Sequence, residues 1–130
     1  MRIDHVAIAV VDLDAAVKQY ANVLGVVDIT YETVESEKVR VAILRMENAS
    51  IELLESTGDG PIKKFLDKNG SGLHHIALET ADIDGQVSKI EACGAKILGN
   101  IRSGSRGTRI AFVHPKSLSG VLTELCEHSK

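Results

Sequence analysis

Four side chains in this sequence have the types and positions to hold a metal ion: His5, Glu52, His75 and Glu124. Two neutral imidazoles and two carboxylates form a donor set of intermediate softness, suited to cobalt, nickel, manganese, iron or zinc. Four protein ligands on an octahedral ion leave two positions open. A substrate with two suitably spaced oxygens fills both, and the ion then acts as a Lewis acid on a carbonyl. Taken singly, each residue says little, since a His in an apolar strand is usually a satisfied core residue and a strand Glu usually faces solvent.

What lifts the four above that background is an internal repeat. Residues 3–20 laid over 73–90 without a gap pair His5 with His75, Ala7 with Ala77, Asp12 with Asp82, Asp14 with Asp84 and Val17 with Val87. Ile3/Leu73, Val6/Ile76, Ile8/Leu78 and Leu13/Ile83 fill the positions between. Near the ends of the two copies, a register shift of two residues pairs Glu52-Leu53 with Glu124-Leu125 and Glu55 with Glu127. Such a shift is ordinary loop drift. The repeat therefore yields two His–Glu pairs, and a chain of 130 residues is one domain built from two half-domains.

Two adjacent histidines, His74 and His75, compete for one role. Side chains alternate along a strand, so His5 shares its face with Ala7 and Ala9, whereas Val6, Ile8 and Val10 point the other way. His75 likewise goes with Ala77. Small residues beside a polar one leave room for a ligand. Strand alternation and the repeat select His75 as the inward residue; His74 faces the opposite side and is structural or supports the site from behind.

The elements that must carry these residues are legible from periodicity. Residues 2–11 read as a buried strand, and Asp12 or Asp14 caps a helix over 13–24 that Gly25 stops. Strands follow at 26–35, 38–46 and 50–55, with Glu47-Asn48-Ala49 as a hairpin turn. A short helix over 61–69 opens at Pro61, ends at Asn69-Gly70 and links the halves. The order then repeats: a strand at 72–80, a helix from Asp84 to Cys93 stopped by Gly94, and strands near 95–102, 107–114 and 120–127. Gly104-Ser105-Arg106-Gly107 reads as the loop between the first two of these. The divisions are a first module over 1–56, a linker helix over 58–70 and a second module over 71–130.

A net charge of −3 with interspersed signs gives no polyanion-binding footprint, which argues against nucleic acid. The longest apolar run near the start, Val6 to Val11, is too short for a membrane span and lacks the basic lead-in of a signal peptide, so the expected location is the cytoplasm. Cys93 and Cys126 fit no metal-ligand spacing and read as small buried thiols, with Cys126 on the same strand face as Glu124. His114, before Pro115, reads as a strand end and His128 as part of a frayed tail. The charged stretch from Glu32 to Arg40 reads as a solvated strand edge. Arg102, Arg106 and Arg109 read as solvated loop charge, with an anionic cofactor tail as the second reading.

Taken together, Ile3-Asp4-His5-Val6-Ala7-Ile8-Ala9-Val10, Ile51-Glu52-Leu53-Leu54, Gly72-Leu73-His74-His75-Ile76-Ala77 and the run from Gly107 through Lys116 to Gly120-Val121-Leu122-Thr123-Glu124-Leu125 resemble the vicinal oxygen chelate superfamily, the glyoxalase I and bleomycin-resistance group. Within it the chain is most similar to the methylmalonyl-CoA epimerases. The resemblance implies an α+β fold of two tandem βαβββ modules forming a curved, cup-like mixed sheet with flanking helices. It makes His5, Glu52, His75 and Glu124 the ligands of one divalent metal per chain, cobalt first, then nickel, manganese, zinc or magnesium; some members carry Gln in place of Glu52. It implies an acyl-CoA substrate, a homodimer, and exchange of the C2 proton of methylmalonyl-CoA. The resemblance also implies that Glu124 doubles as ligand and catalytic base. The family's other base falls near Val41, where this sequence has no carboxylate, and Glu52 is the expected substitute. A glyoxalase I, or a binding protein of the bleomycin-resistance type that sequesters a ligand without a catalytic metal, are the alternative readings.

Overall fold

The computed structural model describes residues 1–129. Contacts divide the chain into two compact units, one spanning His5–His74 and the other Met1–Asp4 with the residues from His75 onward. The chain order is β1 (Arg2–Ala9), α1 (Leu13–Leu24), β2 (Ile29–Val34), β3 (Val39–Arg45), β4 (Ser50–Ser56), α2 (Pro61–Asn69), β5 (Gly72–Glu79), α3 (Ile83–Ala92), β6 (Ile97–Ser103), β7 (Arg109–Val113) and β8 (Thr123–Glu127). Every expected helix and strand is present. Short 3-10 turns at Glu35–Glu37, Ser105–Gly107 and Pro115–Leu118 replace what read as plain loop or strand end.

In the first unit the strands lie in the order β2-β3-β4-β1, with β1 and β4 parallel and the other pairs antiparallel. The second repeats it as β6-β7-β8-β5, with β5 and β8 parallel. The registers agree as well. Ala7 lies opposite Glu52 on the parallel pair of one module, and Ala77 opposite Glu124 on that of the other. The two-residue shift inferred for the last strands is therefore the register of the fold.

Each module buries its first helix through the same local chemistry. In α1 the Asp12 side chain caps the helix by accepting from the Ala15 amide, and Gly25 closes it in the left-handed region at φ 71°. Asp82 does the same for α3 through the Gly85 amide. A glutamate from the last strand then reaches each helix start: Glu55 Oε1 accepts from Leu13 N and Glu127 Oε1 from Ile83 N, both at 3.1 Å. An arginine braces each arrangement, Arg40 against Asp14 and Glu55, and Arg109 against Asp84 and Glu127. Hydrogen bonding from Arg109 holds the Asp84 carboxyl below its ordinary range. Asp12→Ala and Asp82→Ala should each cost about 1 kcal/mol through the lost cap, read as matched falls in the urea midpoint with an unchanged m-value.

Two hydrophobic clusters fill the first unit. Leu13, Ala16 and Val17 of α1 pack on Ala42, Leu44 and Leu53 of one sheet face. On the other face Ala7, Ala9, Val41, Ile43 and Leu54 pack with Ile62 of α2, and Phe65 and Leu66 lie against them. In the second unit α3 packs on Ala111, Val113 and Leu125, while Ala77, Ile110 and Cys126, with Phe112 against them, occupy the opposite face.

Candidate functional site

His5, Glu52, His75 and Glu124 are all buried, with 3%, 3%, 7% and 6% of their surfaces exposed. For charged and polar residues on strands that is uncommon, and it removes the solvated-glutamate reading for Glu52 and Glu124. The strands pair them as the repeat requires. His5 Nδ1 lies 3.3 Å from Glu52 Oε2 in one unit, and His75 Nε2 lies 3.7 Å from Glu124 Oε1 in the other. Each His sits two residues before the alanine opposite its Glu, so strand alternation turns both side chains to one face. His74, by contrast, is half-buried and meets Phe65 edge-on, with ring centroids 5.0 Å apart. Burial lowers its pKa, as expected of a packed, neutral imidazole.

The donor set of each pair fits a borderline divalent cation. In the first pair, Ile43 of β3 lies opposite Glu52. The second has an aromatic neighbour that sequence reasoning missed: Phe112, opposite Glu124 on β7, meets the His75 ring edge-on at 5.2 Å. The Arg102 guanidinium lies over the Phe112 ring, 5.3 Å from its centroid. Phe112 thereby fixes the plane of the His75 ring, a contact whose signal in the sequence is only the β7 to β8 pairing.

Several side chains stand elsewhere than expected. The three arginines form no loop cluster: Arg102 is on β6, Arg109 is on β7 against Asp84 and Glu127, and Arg106 alone is in the turn, paired with Asp4. Arg106 also has the left-handed backbone, φ 55°, that a non-glycine residue seldom adopts. His128 is not frayed, since its Nε2 lies 2.6 Å from Asp4 Oδ1. His114 caps the 3-10 turn after β7 by accepting from the Lys116 amide. Val41 is 1% exposed within the apolar cluster on α2's side of the sheet, so the family's second base has no counterpart at that position.

The two cysteines differ. Cys126 is buried, as expected, but Cys93 is exposed and donates to the Ile90 carbonyl. Burial, followed by the charge of Asp4, pushes the Cys126 thiol well above its ordinary pKa. Iodoacetamide should therefore alkylate Cys93 in the native protein and leave Cys126 unmodified until denaturant is added, a difference that peptide mass spectrometry reads directly.

Comparison with known proteins bears on what such a pairing does. Residues 4–112 match the profile of the Glyoxalase/Bleomycin resistance protein/Dioxygenase superfamily. The ethylmalonyl-CoA/methylmalonyl-CoA epimerase of Cereibacter sphaeroides is 41% identical over 128 residues, covering 95% of this chain and 96% of that one. Among solved structures, a Streptomyces coelicolor methylmalonyl-CoA epimerase variant in complex with 2-nitronate-propionyl-CoA superposes with a TM-score of 0.95 at 42% identity, covering 99% and 95% of the two chains. A methylmalonyl-CoA epimerase in complex with methylmalonyl-CoA and NH4+ gives 0.94 at 42% identity, covering 98% and 94%. With its repeated βαβββ modules, this chain belongs to the glyoxalase, or vicinal oxygen chelate, superfamily.

Proposed function

We propose that the protein is a metal-dependent epimerase that interconverts (2R)- and (2S)-methylmalonyl-CoA by removing and returning the proton at C2. The observation that carries this reading is the pair of buried His–Glu sets at equivalent registers, in a chain about 40% identical to named epimerases of that substrate. His5, Glu52, His75 and Glu124 would hold one divalent ion, cobalt in the first instance. When bound, that ion supplies Lewis acidity towards the thioester and carboxylate oxygens of the substrate and so favours the enolate.

The remaining chemistry belongs to the chain. Inversion at C2 needs a proton acceptor on one face of the planar carbanion and a donor on the other. Glu124 and Glu52 take these roles, each using one carboxylate oxygen as donor atom and the other for the proton.

The protein acts on its acyl-CoA substrate in the cytoplasm, as a homodimer. No helix among the described residues is long and apolar enough to cross a membrane. Ile3 and Leu73, at repeated positions, are 55% and 71% exposed, as apolar side chains covered by a second copy would be. The test is to supply a single epimer of methylmalonyl-CoA to metal-loaded protein and follow the other by chiral chromatography. An equilibrium mixture supports the assignment. Turnover of the glutathione hemithioacetal of methylglyoxal, with methylmalonyl-CoA left untouched, makes the protein a glyoxalase I instead.

A further inference from the structure

We propose that Asp4, Cys126 and His128 form a second metal site, with ligands other than the four of the first centre and suited to a thiophilic divalent cation such as zinc. All three belong to one compact unit, and one ligand atom from each lies within 4.8 Å of the others. They offer a carboxylate, a thiol and an imidazole, a mixed set on which zinc and cobalt bind well. Cys126 is 1% exposed, while the side chains of Asp4 and His128 are 7% and 28% exposed, so the group opens towards solvent at the imidazole. That side provides an entry path and a fourth position for water or a small ligand.

The three donors are already drawn together by hydrogen bonds. His128 Nε2 and Asp4 Oδ1 are 2.6 Å apart, and Asp4 also hydrogen-bonds the Cys126 thiol. A tetrahedral ion with Zn–S of about 2.3 Å and Zn–N or Zn–O of about 2.0 Å separates its ligand atoms by roughly 3.2–3.6 Å. The tightest contact, at 2.6 Å, therefore has to open by roughly 0.6–1.0 Å. On binding, the thiol proton leaves for solvent as the thiolate–metal bond forms, and the imidazole proton moves to Nδ1, which frees Nε2 as the donor. Asp4 keeps its second oxygen on Arg106, whose guanidinium orients the carboxylate and balances its charge. Such an ion would tie the start of β1 to the end of β8, two residues beyond Glu124.

Cobalt reports on both sites, because a thiolate ligand gives Co2+ a charge-transfer absorption in the near ultraviolet that imidazole and carboxylate ligands do not. Full-length protein is stripped with a chelator, loaded with Co2+, desalted and analysed for metal. Two equivalents per chain and the thiolate band are expected. Cys126→Ser should remove the band and one equivalent, Cys93→Ser should leave both, and His128→Gln should weaken cobalt binding at this site by roughly tenfold or more. His128→Gln lies at the exposed edge and carries the test even where Cys126→Ser does not fold. A wild-type protein without the band, or a band that survives in Cys126→Ser or is equally strong in His128→Gln across a cobalt titration, overturns the proposal. The double variant His5→Ala/His75→Ala separates this site from the other: it should lose one equivalent and keep the band. Loss of neither equivalent in that variant counts against the four-residue centre and leaves the second site standing.

Discussion

The His75→Ala protein is expected to fold and to lose epimerase activity by about a thousandfold or more. A bound cation contributes several kcal/mol to stabilising developing charge, and about 4 kcal/mol corresponds to three orders of magnitude in rate. Removing one of the four proposed ligands should take most of that away by weakening the ion's hold. The fold should survive. His75 contributes an edge-on contact with Phe112 and a buried position on β5, and truncating such a residue costs on the order of 1–3 kcal/mol. Near-native circular dichroism, a modestly lowered Tm and a metal content well below wild type should accompany the lost activity. A variant that still exchanges the C2 proton at the wild-type rate would remove His75 from the centre.

The second large effect separates the two glutamates. Glu124→Gln and Glu52→Gln keep a carbonyl oxygen where the carboxylate would donate to the ion, so metal content should fall far less than activity. Each loses a proton acceptor, and general acid–base catalysis is worth about 10²–10⁴-fold. Epimerisation should fall by that factor in both. Exchange with solvent should differ, because abstraction from one epimer needs only the base on that epimer's face. In D2O, Glu124→Gln should label one epimer of methylmalonyl-CoA and Glu52→Gln the other. If both variants lose labelling from the same epimer, a single glutamate handles the proton and the other serves only as ligand.

The parts of this arrangement that could be read from sequence are those set by local chemistry or by the repeat. Helix α1 was legible at both ends because Asp12 and Gly25 each act on their immediate neighbours. The register that sets Glu52 and Glu124 opposite Ala7 and Ala77 followed from laying one half over the other. Strand alternation was enough to choose His75 over His74. What escaped is set by long-range pairing. Asp4 meets Arg106 and His128 across almost the whole chain, and nothing near any of the three announces the contact. Phe112 reaches His75 only because β7 lies beside β8. Arg109 read as loop charge because β7 begins there, whereas Arg40, its equivalent in the first module, sits inside a clear strand pattern.

The most direct measurement is the rate of deuterium incorporation at C2 of methylmalonyl-CoA in D2O, made on chelator-stripped protein and again as divalent cations are returned one at a time. The four-residue centre predicts no exchange above the uncatalysed rate in stripped protein. It also predicts that one equivalent of cobalt per four-residue centre restores exchange in the wild type but not in His5→Ala or His75→Ala. Full-rate exchange by the stripped protein, or restoration by cobalt in those variants, would contradict it.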